Sequence, residues 1–300
     1  MKKIYMAGCG GMLGDAFYKM FNEGYQVKCT DIDLNEKWLE YCDFRDFEMY
    51  KTDVEKFRPN YLFHIGALTD IEYCELHPEE TYMTNEKSVE HAVIISNLLE
   101  IPILYISTAG IFNGNQDTYD DFDLPSPLCQ YAKTKYAGEK YVSENSREYM
   151  IFRAGWMMGG GPKKDKKFIH KIMNQIKNGH KEIFIVNDKL GTPTYTHDFA
   201  ANVRLVLESG KRGLYNLVCE GLTSRLDVAK KIITILGLKD EIKITQVSSK
   251  YFAKEYFVKR PKSERLINKK LLDAKLNIMR PWDIAMEEYL SKYYNNYLDS

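Results

Sequence analysis

The stretch Lys2-Lys3-Ile4-Tyr5-Met6-Ala7-Gly8-Cys9-Gly10-Gly11-Met12-Leu13-Gly14 constrains the fold of this chain more than any other. The apolar run Ile4 to Ala7 predicts a buried parallel strand. It breaks into glycines and then into a helical pattern, Met12-Leu13 and Ala16-Phe17 with Met20-Phe21 one turn on. A strand, a glycine-rich turn and a helix N-terminus together make an anion site. Gly8 can take the positive φ of the turn, Gly11 lets a pyrophosphate approach the backbone, and Gly14 lets helix and strand pack closely. The spacing at 8, 11 and 14 is one residue off the G-x-G-x-x-G form, and a bare glycine triplet also occurs in chains that bind no nucleotide. The next strand, Tyr25 to Thr30, ends in Asp31-Ile32-Asp33. An acidic residue roughly 20 positions past the glycines is where a ribose 2′-OH is held, and its charge would repel the 2′-phosphate of NADP. A solvated strand end or a cap would leave the same residue. The expected cofactor is NAD, with NADP possible.

Strands and helices then alternate. A helix to about Phe57 ends ahead of Pro59, and Tyr61 to Ile65 is the next strand. A long helix is predicted from roughly Pro78 to Glu100, with Val89, Val93, Ile94 and Leu98 at helical spacing. Ile103 to Ser107 is another strand, and a loop rich in Asp, Asn and Pro runs to Leu128. This alternation predicts an α/β fold with a doubly wound parallel sheet, whose ligands sit beyond the carboxyl ends of the strands. Candidate site residues therefore follow each strand: Gly8 to Gly14, Asp31, Gly66 to Thr69, and Thr108. A helix opens at Gln130, and its Tyr131 and Lys135 share one face. That spacing alone is common on surface helices.

The 42 Lys+Arg balance the 42 Asp+Glu among 300 residues, so no basic excess points to nucleic acid or a membrane surface. No apolar run approaches the ~20 residues of a membrane span, and the N-terminus has no signal-peptide pattern. The six cysteines are scattered without C-x-x-C or clustered histidines, which predicts free thiols in a reducing cytoplasm and no metal site.

Several motifs together resemble the extended short-chain dehydrogenase/reductase family, and within it the dTDP-4-dehydrorhamnose reductase branch. They are Gly8-x-x-Gly11-x-x-Gly14, Gly66-Ala67-Leu68-Thr69-Asp70-Ile71-Glu72, Ser107-Thr108-Ala109-Gly110-Ile111-Phe112-Asn113-Gly114 and Tyr131-x-x-x-Lys135 through Glu139. Arg153-Ala-Gly-Trp156, Asn187-Asp188-Lys-Leu-Gly191-Thr-Pro193-Thr194 and Arg260-Pro261-Lys-Ser263 complete the set. The resemblance implies a Rossmann-type domain at 1–155, with some later segments packing back on it, and a smaller α/β substrate lobe at 156–300. It implies Tyr131 as proton donor, Lys135 as the residue that holds the nicotinamide ribose and lowers the tyrosine's pKa, and Thr108 as the hydrogen-bond partner of the reacting carbonyl. Gly8, Gly11, Met12, Leu13, Gly14, Asp31, Gly66, Ala67 and Leu68 would line the cofactor, with Asp43 and Phe44 at its adenine and Asn85 supporting the site. Thr69, Ile71, Trp156 and Arg260 would bind the substrate, a nucleotide-diphosphate sugar.

Two departures stand out. The branch usually has Ser-Thr-Asp-Tyr where this chain has Ser107-Thr108-Ala109-Gly110, and commonly Asn where it has Lys167. Both touch the substrate side. An Asp-Glu pair, used for dehydration in related enzymes, is absent at Ala109-Gly110.

In the second half, 159–167 reads as a flexible basic loop, either solvated or facing a diphosphate. Phe168 to Asn178 reads as a helix, Glu182 to Val186 and Leu214 to Val218 as strands, and Ser224 to Leu236 as a helix capped by Ser224 and stopped by Gly237. Tyr289 to Tyr297 reads as a last amphipathic helix. The resulting expectation is a cytoplasmic NAD(P)H-dependent reductase of a keto group on a nucleotide-activated deoxysugar, a homodimer through helices near 80–100 and 130–146. The alternatives are an epimerase that retains NAD and a non-catalytic cofactor-binding subunit.

Overall fold

The computed structural model describes residues 1–298, so the last two residues of the expected 156–300 lobe lie outside it. Seven strands form one parallel sheet: β1 (Lys3–Ala7), β2 (Gln26–Asp31), β3 (Leu39–Tyr41), β4 (Tyr61–His64), β5 (Ile103–Thr108), β6 (Tyr149–Ala154) and β7 (Gly213–Leu217). Their order is β7-β6-β5-β4-β1-β2-β3. The order reverses at β1, where Ala7 pairs with Thr30 of β2 on one side and His64 of β4 on the other. That reversal opens the crevice in which doubly wound sheets bind ligands.

Alternation along each strand feeds two cores. Ile4 and Met6 join Phe17, Phe63, Phe152 and Phe199 on one face. Tyr5 and Ala7 join Leu62, Val89, Val93 and Tyr105 on the other. Both faces are covered, so the strands read as continuous apolar runs. Each fully buried aromatic or aliphatic side chain contributes roughly 1.5–3 kcal/mol.

Three local expectations change. The helix expected from Pro78 to Glu100 is continuous only in outline. It runs as α-helix over Pro78–Tyr82, as a π-helical turn over Met83–Lys87, and as α-helix again over Ser88–Leu98. Apolar spacing does not register the one-residue insertion of a π turn. The strand expected at Leu214 to Val218 is not part of the substrate lobe. It is the edge strand β7 of the main sheet, in register with β6 from Gly213↔Met150 to Leu217↔Ala154. The basic stretch 159–167 is partly ordered as a short helix, Gly161–Lys164.

The smaller lobe is held by short pairings between distant segments. Glu182–Val186 pairs with Lys243–Val247, Trp156–Met158 with Pro193–Tyr195, and Leu190–Gly191 lies between Thr223–Ser224 and Ser263–Glu264. The helix Arg225–Ile235 is capped by Ser224, whose hydroxyl accepts from the Asp227 amide at 3.1 Å, and ends before Gly237 at φ +71°. The final helix, Trp282–Tyr294, begins earlier than the tyrosine run. Its Tyr289 hydroxyl donates to Asp165 at 2.7 Å, so these rings are core. No described helix is long and apolar enough to cross a membrane.

Candidate active site

A cavity of about 730 Å³ opens at the carboxyl ends of the sheet strands, between the sheet and the smaller lobe. Every residue nominated above as catalytic, cofactor-binding or substrate-binding lines it. The glycine turn forms its floor. Gly8 has φ +84°, and a Cβ there would lie 2.1 Å from Gly66 Cα. At Gly14 a Cβ would lie 2.1 Å from the Cys9 carbonyl oxygen, so only glycine lets the helix α1 (Met12–Phe21) rest on the strand end. At Gly11 a Cβ would meet nothing within 4 Å: this side is open. Gly11 is also the N-cap of α1 and offers no side-chain cap, which leaves first-turn N–H groups for an anion. The buried hydroxyls of Thr84 and Ser107, both in the cavity wall, have no hydrogen-bond partner among the described residues. An open glycine cradle, an uncapped helix start and unpaired wall hydroxyls fit a dinucleotide.

Side chains fix the walls of that cradle. Asp31 accepts from the Gly10 amide at 2.7 Å and from the Asp33 amide at 2.9 Å, so its carboxylate stands beside the glycine turn. Asp43 is clamped by Arg45, which donates through Nη2 at 2.7 Å and holds the carboxyl below its ordinary range. The Phe44 ring lies against Gly66, where a Cβ would come within 2.6 Å of it. Asn85, buried in the π turn, donates to the Leu68 carbonyl at 2.9 Å and accepts from the Leu68 amide at 2.8 Å. The π turn thus pins the 66–68 loop through one amide side chain.

Tyr131 and Lys135 project from the helix α2 (Gln130–Asn145) beside Thr108, the last residue of β5. Gly138 lets this helix approach, since a Cβ there would lie 2.8 Å from the Tyr105 hydroxyl. A buried ion pair locks α2 to the sheet, with Arg153 of β6 donating to both Glu139 oxygens at 3.0 and 2.6 Å. The Thr108 hydroxyl hydrogen-bonds Tyr131 and also accepts from the Gly110 amide at 3.1 Å. The family resemblance implies that Lys135 lowers the tyrosine's pKa. In the protein alone the balance runs the other way: burial raises the Tyr131 phenol above its ordinary value, and Thr108 only partly offsets this. Lys135 is itself buried, 4.2 Å over the Tyr105 ring, and burial lowers its amine to about 7 against the opposing pull of Glu139. A phenol that keeps its proton suits a proton donor.

The wall facing the glycine turn across the cavity comes from the smaller lobe and the 69–72 segment. Arg260 donates to both oxygens of Glu72, at 2.7 and 2.5 Å. Lys167 donates to Thr69 at its hydroxyl (3.0 Å) and its carbonyl (3.1 Å). Ile71 packs with Tyr131, Cys129, Ala132 and Val258. The Trp156 indole N–H donates to Glu264 at 2.8 Å, and the Arg225 guanidinium lies 3.7 Å over the Trp156 ring and 4.6 Å from Phe168. Burial lowers Arg225 to about 10, with Glu264 opposing the shift. Of the basic stretch, Lys163 donates to the Asn35 carbonyl and to Glu36 in the turn after β2, and Lys164 donates to the Gly10 carbonyl of the glycine turn at 3.0 Å; Lys164, Lys166 and Lys167 all stand in the cavity wall.

Sequence reasoning passed over Glu264, Arg225 and Phe168 as site residues. Glu264 directly follows the Arg260-Pro261-Lys-Ser263 motif, and its proximity to Trp156 was the missing information. Arg225 follows a helix cap and reads as an ordinary first-turn residue.

A profile of the RmlD substrate binding domain matches residues 1–295. The spore coat polysaccharide biosynthesis protein SpsK of Bacillus subtilis (strain 168) is 26% identical over 294 residues, 97% of this chain and 98% of that protein. Among solved structures, a dTDP-4-dehydrorhamnose reductase from Clostridium acetobutylicum ATCC 824 is 28% identical, with a TM-score of 0.87 over 97% of this chain and 99% of its own. The Bacillus anthracis dTDP-4-dehydrorhamnose reductase in complex with NADP is 26% identical, with a TM-score of 0.86 over the same shares of the two chains.

Proposed function

Since the chain belongs to the RmlD substrate binding domain family, we propose that it is an NAD(P)H-dependent reductase of a keto group on a nucleotide-activated deoxysugar, like the dTDP-4-dehydrorhamnose reductases it resembles. The observation that carries this reading is the meeting of Thr108, Tyr131 and Lys135 in one cavity with an open glycine cradle and a side-chain-lined wall from the smaller lobe. The cofactor, when bound on Gly8 to Gly14, Asp31 and the 66–68 loop, supplies the hydride. Thr108 holds the sugar carbonyl oxygen, and the Tyr131 hydroxyl gives that oxygen its proton. Lys135 holds the ribose hydroxyls and, once charged, helps the phenol release its proton. Asp31 supports NAD as the preferred form.

Residues 156–298 contribute mainly the substrate side, with Trp156 against the sugar and Arg260 with Lys167 toward the diphosphate. A cytoplasmic site of action accords with six buried free cysteines. Homodimerisation through the segments near 80–100 and 130–146 is supported by exposed Tyr82, Met83, Ile94 and Leu98, and sedimentation at graded concentration tests it.

The direct test is nicotinamide fluorescence during titration with NADH or NADPH, followed by dTDP-, UDP-, GDP- and CDP-4-keto-6-deoxysugars. Oxidation by one of them is expected and names the base. Tight cofactor binding with no oxidation by any would reject the reductase in favour of an epimerase or a regulatory subunit.

A further inference from the structure

The Tyr-to-Gly departure at Gly110 and the unanticipated Glu264 meet at the same point. A Cβ on Gly110 would lie 3.4 Å from Glu264 Oε1, 3.5 Å from Thr108 Oγ1 and 3.7 Å from Tyr131 Cε1. A carboxylate oxygen, the hydroxyl that faces the carbonyl and the ring of the proton donor therefore gather around the backbone of Gly110, which puts no side chain between them, and Glu264, Thr108 and Tyr131 all line the cavity. Glu264 is fixed there from behind. Its Oε2 accepts from Trp156 Nε1 at 2.8 Å, Trp156 is wedged over Gly191, where a Cβ would lie 2.2 Å from the indole, and the Arg225 guanidinium lies 3.7 Å over that ring. Oε1 has no hydrogen-bond partner among the described residues, and Arg225 makes no ion pair with the carboxylate. An acceptor-only oxygen, held in a half-buried wall and aimed at the reacting centre, has one kind of complement: a hydrogen-bond donor.

We propose that Glu264 selects a sugar that carries a hydrogen-bond donor, hydroxyl or ammonium, on the ring carbon next to the reacting carbonyl (C3 of a 4-ketohexose), on the side of the cavity where Gly110 puts no side chain in front of the carboxylate. This rests on the reductase reading and deepens it by naming the substrate's neighbouring substituent. A substrate without the donor leaves the carboxylate desolvated and unpaired, which is how a polar site rejects an analogue that lacks its partner.

The test uses the full chain with NADH and NADPH and three dTDP-4-keto-6-deoxyhexoses that differ only at C3: hydroxyl, amino or deoxy. For wild type, Glu264→Gln and Glu264→Ala, kcat/KM is measured on each sugar. In wild type the better donor sugar should exceed the 3-deoxy sugar at least ~10-fold. Both variants should bring that ratio close to one. The amide keeps an acceptor for Trp156, so Glu264→Gln separates substrate recognition from support of the indole. A larger loss on the amino sugar than on the hydroxyl sugar in Glu264→Gln identifies the ammonium as the ligand, and equal losses identify the hydroxyl. Equal wild-type rates on donor and deoxy sugars would overturn the inference and leave the reductase standing. So would a ratio that survives in Glu264→Gln and falls only in Glu264→Ala, because Glu264 would then act by seating Trp156. No cofactor oxidation by any of the three sugars carried on dTDP, UDP, GDP or CDP, in wild type, would overturn the reductase reading and this inference with it.

Discussion

The two walls of the cavity are built by different means. The cofactor side is made of backbone from short contiguous stretches: Gly8 to Gly14 turning off β1 and Gly66 to Leu68 leaving β4, with Asp31 and Asn85 hydrogen-bonded to that backbone. The substrate side is made of side-chain pairs between remote segments. Lys167 reaches Thr69 across 98 positions, Trp156 reaches Glu264 across 108, and Arg260 reaches Glu72 across 188. Backbone cradles accept few changes, because a single Cβ collides with the main chain. Side-chain pairs can be exchanged two residues at a time, so sugar preference can change while the groups that hold the cofactor stay put.

Tyr131 stands where the two walls meet, and its replacement should have the largest effect. Tyr131→Phe should lower kcat at least ~10²-fold while NADH still binds, because the ring remains and only the proton donor is lost. Stopped-flow turnover beside a cofactor titration reads both, and unchanged turnover would remove Tyr131 from the chemistry.

A paired substitution then tests whether the cradle is backbone-limited. Gly14→Ala puts a methyl 2.1 Å from the Cys9 carbonyl and should cost about 1–3 kcal/mol of stability, seen as a lower urea midpoint. Gly11→Ala meets no protein atom, so its urea midpoint should stay near that of wild type and only its affinity for the cofactor should fall. Equal destabilisation by both would break the contrast between a packing glycine and a ligand-facing one. A smaller change is expected from Asp31→Ala. It should narrow the NADH-over-NADPH preference by about tenfold or less, since the carboxylate also holds the Gly10 amide. No shift in the ratio of the two KM values would free Asp31 from the ribose.

These contrasts also explain what could be read from the chain beforehand. The parallel sheet was legible because β1, β4 and β5 are apolar runs that end at glycine, serine or threonine. The glycine-turn wall of the cavity was legible because seven consecutive residues carry most of it. The π turn at 83–87 was not, since Met83 is the only apolar residue within it and nothing there marks the change of phase. Neither was the placement of β7, because an edge strand has the same local pattern in either lobe. Glu264 and Arg225 acquire meaning only once Trp156 lies between them, and nothing local to either position carries that.

Lys135 sits on the boundary between the walls and gives the most diagnostic effect. Burial lowers its amine from the ordinary 10.5 to about 7. The unfolded chain keeps that proton up to about pH 10.5, and the folded protein releases it above about 7. Between those values the unfolded state binds more protons, so this residue makes stability rise with pH across that window and imposes its full cost below about 7. Measured against Lys135→Met, which has no such proton, the wild-type urea midpoint should gain on the variant as pH climbs from about 7, at no more than ~1.4 kcal/mol per unit. Ribose hydroxyls accept from the ammonium and favour the charged form, so NADH binding near pH 8 should draw in a fraction of a proton. Binding heats in buffers of different ionisation enthalpy would report that uptake as a slope, present in wild type and absent in Lys135→Met. A flat wild-type plot would mean that the amine is already charged in the free protein, and Lys135 would then belong wholly to the rigid, pre-formed cofactor side.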